Sequence, residues 1–332
     1  MIRIAKLSYW HVHAWDYTRQ AQAHPDTEIA AVWDELPARG QAAAEKLGVP
    51  FYADLDAILA LPDIDAVIVD APTNMHRDVM VAAARAGKHI FTEKVIAPTL
   101  AEVNQVIAAV EQAGVKLMVS LPRLYAGYTQ AISEIIASGE LGDLTLVRTR
   151  LAHNGSLRTE QNPDGWLPPH FYSAEQCGGG ALIDLGCHPM YLARLFLGLP
   201  ETVSAQFGYV TGREVEDNAV VTLGYPNGAI GIVEAAFSWA THPFTLEVQG
   251  TKGGLLFGTP EAKLLVYAGN AWEERALPAD QPNAFAQWVG HIQQGTIGTA
   301  NIEAARDLTR LMEAANKAAA SGCAVRVDSL QA

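Results

Sequence analysis

Residues 65–94, DAVIVDAPTNMHRDVMVAAARAGKHIFTEK, decide the fold of the first half of the chain. The β-branched run Ala66–Val69 predicts a buried strand, and His89–Thr92 predicts another. Between them, Arg77–Ala86 has a helical pattern that stops at Gly87. Apolar strands joined by a helix are typical of a parallel sheet that is covered on both faces.

The same alternation continues on both sides of this unit. Further strands are predicted at Ile2–Leu7, Glu28–Trp33 and Val115–Val119, and further helices at His13–Ala23, Leu36–Leu47 and, after a Thr99/Glu102 capping-box pattern, up to Gln112. Ligands of such sheets bind beyond the carboxyl ends of the strands. Asp34, the turn Pro72–Asn74 and Lys94 each follow a predicted strand, so they are candidate binding residues.

The second half of the chain has a different pattern. Helices are predicted at Thr129–Ser138, Ala181–Phe196 and Ile302–Ala320, and strands at Leu144–Leu151, Val203–Tyr209, Ala219–Tyr225, Ala229–Phe237, Thr245–Gln249, Gly254–Phe257 and Leu264–Tyr267. The dipeptide Asn227-Gly228 is typical of a hairpin turn. Successive strands with little helix between them predict an open, mostly antiparallel sheet.

These two patterns predict two domains in a mixed α/β and α+β chain. Residues 1–121 form a doubly wound parallel sheet, and residues 122–332 form an α+β domain with a large open sheet. We expect the second domain to bind the substrate and to mediate oligomerisation. We expect its C-terminal helix to pack back near the first domain.

The composition excludes several classes of protein. A formal net charge of −13 over 332 residues is unsuited to neutralising the phosphates of nucleic acid. No window approaches 18 uncharged apolar residues, and the N-terminus lacks the apolar run of a signal peptide, so no membrane segment is predicted. Three cysteines without a CxxC pair predict neither a disulfide framework nor a structural zinc site. We therefore expect a cytoplasmic protein.

Asp34 and Lys94 suggest dinucleotide chemistry in the first half. An acid at the end of the second strand accepts hydrogen bonds from the adenosine ribose and repels a 2′-phosphate, so Asp34 favours NAD over NADP. The alternative for Asp34 is a plain turn or helix-cap residue. Lys94 could contact both the nicotinamide ribose and a substrate hydroxyl. The alternative for Lys94 is a surface lysine paired with Glu93.

The loop after the first strand lacks the glycines of the Rossmann fingerprint GxGxxG. It reads Ser8-Tyr9-Trp10-His11-Val12-His13, and the first glycine of the chain is Gly40. Three alternatives stay open: the helix N-terminus holds the phosphates with help from Ser8 or an imidazole, the cofactor binds in a displaced pose, or it does not bind. His11 and His13 also suggest a metal hydrolase, but two histidines do not complete a coordination sphere, and no metal site is predicted.

The segment 178–188, GGGALIDLGCH, is the most informative part of the second half. Asp184 and His188 are four residues apart, so on a helix they project from one face. His188 suits general acid–base catalysis, and Asp184 could orient it or bind a substrate hydroxyl. The alternative is a structural histidine and a first-turn aspartate beside a flexible loop. Arg123, Trp166 and His170 are further substrate-pocket candidates, with structural roles as their alternative.

Together these blocks resemble the Gfo/Idh/MocA oxidoreductase family over most of the chain. Residues 71–76 look like its turn against the cofactor, residues 86–94 are similar to its AGKHVxxEKP stretch, and residues 178–188 to its GGGxLxDxGxH stretch. The resemblance implies an N-terminal Rossmann domain and a catalytic trio of Lys94, Asp184 and His188. The predicted cofactor-binding residues are Ser8, Tyr9, Trp10, His11, Asp34, Pro72, Thr73, Asn74, His76, Glu93 and Lys94.

Three departures from the family pattern stand out. The glycines of the first loop are missing, Val95 replaces the usual proline after the lysine, and Tyr191 replaces an aspartate often found three residues after the histidine. These changes concern the pose of the cofactor, the backbone beside Lys94 and the polarity of the substrate pocket.

The function that we expect is an NAD(P)-dependent dehydrogenase that transfers hydride between nicotinamide and a sugar, cyclitol or related polyol. Three alternatives remain: a glycoside hydrolase or lyase that uses bound NAD transiently, a binding protein that has lost the cofactor, and a metal hydrolase that uses His11 and His13. A large open sheet face is rarely left in contact with water, so we expect a homodimer or homotetramer formed through that sheet.

Overall fold

The computed structural model describes residues 1–330. Its helices are α1 (Ala14–Ala23), α2 (Pro37–Leu47), α3 (Leu55–Leu59), α4 (His76–Arg85), α5 (Leu100–Ala113), α6 (Gly127–Ser138), α7 (Ala174–Cys177), α8 (Cys187–Leu197), α9 (Ala284–Gln294) and α10 (Thr299–Ser321). Its strands are β1 (Ile2–Leu7), β2 (Thr27–Trp33), β3 (Phe51–Tyr52), β4 (Ala66–Val69), β5 (His89–Thr92), β6 (Leu117–Val119), β7 (Leu144–Ala152), β8 (Thr202–Gly208), β9 (Asn218–Gly224), β10 (Ile230–Ala236), β11 (Phe244–Gly250), β12 (Gly253–Gly258), β13 (Lys263–Ala268), β14 (Ala271–Arg275) and β15 (Val325–Arg326).

The chain divides into two compact units. The first contains residues 1–121 and 282–306, and the second contains residues 122–281 and the chain from Asp307 onward. The sequence predicted a division after residue 121 but left 282–306 in the second domain. That segment belongs to the first unit because α9 packs its aromatic side chains against β5 and β6. Trp288 lies 5.7 Å from the ring of Phe91 and donates a hydrogen bond to the Lys116 carbonyl at 3.2 Å.

The sheet of the first unit is parallel, with the strand order β3-β2-β1-β4-β5-β6. Every residue of β4 is fully buried, as its β-branched composition predicted. The strand order reverses between β1 and β4, which is where doubly wound sheets bind their ligands. The segments that follow β1, β2, β4 and β5 therefore share one edge of the sheet, and they carry the candidate residues of this unit.

The second unit contains a nine-stranded sheet with the order β14-β13-β12-β11-β7-β10-β9-β8-β15. All neighbours are antiparallel except β7 and β10, which pair in parallel. The predicted hairpin joins β9 to β10, and Gly228 has the positive φ of 85° that its turn requires. Helix α8 packs on β7 and β10. This packing fixes the segment that precedes α8 against the sheet.

Within residues 1–330, no helix combines the length and the apolar composition that crossing a bilayer requires.

Candidate active site

The first loop keeps a glycine-like backbone although it contains no glycine. Ser8 has φ 74°, in the left-handed region that favours glycine. Its hydroxyl accepts the Trp10 N–H at 3.1 Å, and the Tyr9 N–H donates to Asp34 at 2.9 Å. The His11 N–H donates to the Asp70 carbonyl at 3.2 Å. Hydrogen bonds within the loop and to Asp34 and Asp70 therefore hold it in one conformation.

Tyr9 lies in the core of the first unit. Its ring packs in a cluster with Ala14, Val32 and Ala44, and its hydroxyl lies 3.1 Å from the Thr18 hydroxyl. Burial raises its pKa to about 12. Trp10 and His11 are also buried. The side chain of Tyr9 thus packs under the loop and stabilises it from below.

A buried ion pair that the sequence analysis missed supports the same loop. Lys6 on β1 and Asp70 after β4 are both fully buried, and the Lys6 ammonium contacts the Asp70 carboxylate. The ammonium also donates to the Ser8 carbonyl at 3.0 Å. Burial lowers the pKa of Lys6. Two signals in the sequence could have indicated this ion pair. One is a lysine inside the apolar run of β1, and the other is an acid directly after β4.

Asp34 directly follows β2, as predicted, but four hydrogen bonds from the protein already occupy its carboxylate oxygens. One oxygen accepts the N–H groups of Tyr9 and the Arg39 Nε, and the other accepts the Leu36 N–H and the Arg39 Nη2, at 2.7–2.9 Å. A carboxylate has about four acceptor positions. A ribose hydroxyl can therefore reach Asp34 only if the Arg39 guanidinium moves aside.

The turn after β4 is connected to the backbone beyond Lys94. Pro72 and Thr73 are buried and Asn74 is exposed. The buried His76 ring places Nε2 2.9 Å from the Ala71 carbonyl oxygen and Nδ1 2.9 Å from that of Val95. Burial lowers its pKa. His76 therefore connects the turn after β4 with the loop after β5 at the ligand edge of the sheet. The Lys94–Val95 peptide bond in the loop after β5 is cis.

Several ionisable side chains at the ligand edge of the sheet surround the carboxylate of Glu93. Glu93 is 2% exposed, and its carboxylate accepts the Lys94 N–H at 3.1 Å and contacts the Tyr17 hydroxyl. The ring nitrogens Nδ1 of His13 and His11 lie 3.3 and 3.7 Å from its Oε2. Burial raises the pKa of Glu93, but the neighbouring histidines and Lys94 outweigh it and hold the pKa far below its usual range.

Lys94 is buried beside Glu93. It is 5% exposed, and its ammonium lies 3.9 Å from the Glu93 Oε1. This exposure excludes the alternative of an exposed surface lysine. A buried ammonium beside a carboxylate is held in one place, which is what a group that contacts a substrate oxygen requires.

In the second unit, Asp184 lies in a π-helical turn, Leu182–Gly186, that leads directly into α8 and His188. Glu216 fixes the start of this turn, because its carboxylate accepts the N–H groups of Gly180 and Leu182, each at 2.9 Å. A Cβ at Gly180 would lie 2.1 Å from the Glu216 carbonyl oxygen. Of the three glycines, Gly180 is thus required by close packing. Single π-helical turns are frequent at functional sites.

His188 is buried and is oriented by Tyr191, one turn further along α8. The Tyr191 hydroxyl lies 3.0 Å from His188 Nδ1 and accepts the Arg123 N–H at 3.1 Å. Burial raises the pKa of Tyr191 well above its usual value, so the hydroxyl is neutral. The guanidinium of Arg123 stacks 3.8 Å from the centre of the Phe244 ring.

The remaining predicted substrate residues lie on the long loop after β7. Trp166 is 48% exposed, donates to Asn154 at 2.8 Å and lies 4.6 Å from the ring of His153. Burial lowers the pKa of His153, whereas the charge of Asp184 raises it. His153, at the end of β7, is therefore a candidate that the sequence analysis missed. His170 packs beside Phe171 in the separate turn Pro169–Tyr172.

Two family models match the chain. Residues 10–121 match the oxidoreductase family with an NAD-binding Rossmann fold, GFO_IDH_MocA, and residues 129–256 match the GFO/IDH/MocA C-terminal domain. The matched ranges cover more than half of the chain.

Curated relatives and solved structures agree with this match. The chain is 32% identical to D-xylose 1-dehydrogenase (NADP(+)) 2 of Haloferax volcanii over 93% of this chain and 94% of that protein. It is 28% identical to scyllo-inositol 2-dehydrogenase (NAD(+)) of Bacillus subtilis over 78% and 73%. The crystal structure of aldose-aldose oxidoreductase from Caulobacter crescentus complexed with glycerol superposes with a TM-score of 0.81 at 25% identity, covering 98% of this chain and 99% of that one.

Three findings lead to one conclusion. They are the parallel sheet with an acid after β2 and a buried lysine after β5, the segment 178–188, and the matches to both domain models. The chain belongs to the GFO/IDH/MocA family of NAD(P)-dependent oxidoreductases.

Proposed function

We propose that this oxidoreductase oxidises a secondary hydroxyl of a sugar, cyclitol or related polyol, or reduces the corresponding ketone. The observation that carries the proposal is the buried Lys94–Glu93 pair at the ligand edge of the parallel sheet. The named relatives that act on xylose and inositol support this substrate class.

The residues of the first unit fit a dinucleotide. The parallel sheet has the order of dinucleotide-binding folds, Ser8 keeps the left-handed conformation of the first turn, and Asp34 ends β2. Ser8, Asp34, Thr73 and Glu93 would hold the cofactor. Its nicotinamide ring, when bound, supplies the site that takes or gives the hydride.

The residues of the chain would handle the oxygen and the proton. The Lys94 ammonium would bind the reacting oxygen and stabilise the negative charge that develops on it. The imidazole of His188 would take the hydroxyl proton during oxidation and return it during reduction. Asp184 would accept a hydrogen bond from a neighbouring hydroxyl, and Arg123, Trp166, His170 and His153 would contribute to the substrate pocket.

Replacing Lys94 tests this function. We expect Lys94→Ala to lower kcat/KM for polyol oxidation by about a thousandfold or more, because an electrostatic stabiliser of the transition state is lost. Lys317→Ala, at a surface site in the second unit, is the matched control and should leave the rate unchanged. Near-normal turnover in Lys94→Ala, with an unchanged circular dichroism spectrum, would refute the role.

Two measurements, NADH absorbance and melting temperature, distinguish the alternative functions. A glycoside hydrolase or lyase that uses NAD transiently would form product without a net change in NADH absorbance. A protein that has lost the cofactor would show no rise in melting temperature with NAD or NADP. A cofactor at 100 times its Kd should add about 2.7 kcal/mol to the free energy of unfolding.

We propose that the protein accepts both NAD and NADP. The sequence favoured NAD because Asp34 repels a 2′-phosphate, but the Arg39 guanidinium neutralises that carboxylate in the structure. An arginine beside this position can accommodate a 2′-phosphate. The NADP-dependent and NAD-dependent relatives support both possibilities.

Two further proposals concern the environment of the protein. None of its three cysteines is joined in a disulfide, which supports a reducing, cytoplasmic location. The open face of the nine-stranded sheet supports a homodimer or homotetramer. Its β9, β10 and β12 strands expose Val220, Ile230 and Leu256, each by 38–44%.

A further inference from the structure

We propose that His11, His13 and Glu93 form a binding site for one divalent transition-metal ion. The sequence offered only the two histidines, which lack a third ligand. The fold supplies it, because the loop after β1 and the end of β5 meet at the ligand edge of the sheet. Each of the three side chains offers one ligand atom, and these atoms lie within 4.8 Å of one another.

The distances fit a metal site that is close to formed. Glu93 Oε2 lies 3.3 Å from His13 Nδ1 and 3.7 Å from His11 Nδ1. With metal–ligand bonds of roughly 2.0–2.1 Å, neighbouring ligands of a tetrahedral ion are about 3.3 Å apart. His13 is 42% exposed at its side chain, so its ring has room to rotate toward the ion.

The surroundings of the three ligands resemble those of metal sites. Glu93 and His11 are buried, which fixes their positions. The Tyr17 hydroxyl contacts Glu93 Oε2 and lies 2.8 Å from the Ser120 hydroxyl, so an outer hydrogen bond orients the carboxylate. Such an outer contact is typical of metal-binding carboxylates. The His13 backbone N–H donates to His11 Nδ1 at 3.2 Å, and metal binding at that nitrogen would replace this hydrogen bond.

The donor set selects the kind of ion. Two imidazoles and one carboxylate suit zinc or ferrous iron, whereas magnesium and calcium prefer sites made only of oxygen. Three protein ligands leave one or more coordination positions for water or a ligand, as in catalytic rather than structural sites. The exposed side of His13 is where such a ligand would enter.

The experiment measures metal binding without nucleotide or substrate, so that its outcome is independent of the proposed dehydrogenase activity. Protein made without a histidine tag is treated with a chelator, dialysed and titrated with Zn²⁺ by calorimetry. A Co²⁺ titration followed by visible absorption reports the coordination geometry, and Mg²⁺ is the control ion. We expect one Zn²⁺ per chain, a Co²⁺ absorption band and no binding of Mg²⁺.

Variants assign the site. His13→Gln and Glu93→Gln should each weaken Zn²⁺ binding by tenfold or more, and Tyr17→Phe should weaken it by about tenfold through the outer contact. His242→Asn, at an exposed histidine of the second unit, is the matched control and should bind as the parent does. His13 is half-exposed, so its variant should fold, as circular dichroism would verify.

Three results would overturn the proposal. They are less than one-tenth of an equivalent of bound Zn²⁺, Zn²⁺ binding that His13→Gln leaves unchanged in the folded protein, and equal binding of Mg²⁺.

Discussion

Tyr191 orients the ring of His188. Its hydroxyl oxygen accepts the Arg123 N–H and lies 3.0 Å from His188 Nδ1. For Nε2 to take a proton from a substrate hydroxyl, the proton of the neutral imidazole has to be on Nδ1, where the Tyr191 oxygen can accept it with its second lone pair. Tyrosine thus holds the ring by a neutral acceptor.

Removal of this hydroxyl should affect catalysis more than binding. We expect Tyr191→Phe to lower kcat roughly tenfold and to change KM less than threefold. A tenfold loss is part of the rate enhancement that general acid–base catalysis supplies. The ¹⁵N chemical shifts of His188 should change from one tautomer to a mixture. Tyr225→Phe, in the hairpin of the second unit, is the control. A change in KM alone, with the tautomer unaltered, would contradict the positioning role.

Arg39 should decide how well the protein uses NADP. Arg39→Ala removes the group that could bind a 2′-phosphate and also restores the unscreened charge of Asp34. We expect kcat/KM to fall about tenfold more with NADP than with NAD, which corresponds to about 1.4 kcal/mol of selective binding. The surface variant Arg19→Ala should change neither value. Equal losses with both cofactors would show that Arg39 only stabilises the loop.

Individual residues were predictable where the chemistry is local. Asp34 and Lys94 stand directly after strands, so their place at the ligand edge could be inferred from the strand pattern. The partners of Asp34 and Glu93 could not, because Arg39 reaches back from a helix and His13 lies 80 positions before Glu93. His153 was missed because no motif surrounds it, and only its ring contacts with Trp166 and Phe237 mark it.

At the scale of elements, the π-helical turn depends on one carboxylate. Both oxygens of Glu216 accept N–H groups, and a glutamine keeps only one acceptor oxygen while its NH₂ group faces the other N–H. We expect Glu216→Gln to lower the free energy of unfolding by about 1–3 kcal/mol, since it leaves a buried donor unpaired. It should also reduce kcat, because Asp184 lies in this turn and His188 follows it.

Thermal unfolding and steady-state kinetics check this together. Glu214→Gln, two residues earlier at an exposed site, is the control. An unchanged melting temperature in Glu216→Gln would show that the two hydrogen bonds do not hold the turn.

Elements with a strong periodic pattern were predicted to within one or two residues. The strand His89–Thr92 and the capping box of Thr99 and Glu102 are confirmed, with the Thr99 hydroxyl accepting the Glu102 N–H at 3.3 Å. Strand β14 and helix α9 were not predicted. The residues of β14 are mostly exposed and polar, so that strand shows no clear apolar period. Helix α9 buries Phe285, Trp288 and Val289 at helical spacing, but it follows a polar, proline-containing stretch, and no element was assigned to that part of the sequence.

At the scale of the whole molecule, the division of the chain depends on contacts that no local pattern reveals. The sequence indicated a change from alternating elements to successive strands, and that change occurs near residue 121. The return of residues 282–306 to the first unit depends on aromatic contacts with Phe91, nearly 200 positions earlier. The order of the nine strands is likewise fixed by pairing across long separations, including the parallel pair β7 and β10.

The open face of that nine-stranded sheet predicts self-association. Ile230 is 44% exposed and Leu256 is 38% exposed on strands that are otherwise well ordered by pairing. Beside them, Glu234 pairs with Arg148 and Arg150, so the face combines apolar contacts with fixed charges. A face of this kind suits a symmetric contact in which each copy meets the same surface of the other.

We expect light scattering to give a mass of two or four chains, and Ile230→Glu to reduce it, because a buried glutamate would lack a partner. Ile297→Glu, at an exposed isoleucine of the first unit, should leave the mass unchanged. A single-chain mass for the parent protein at micromolar concentration would contradict the assembly.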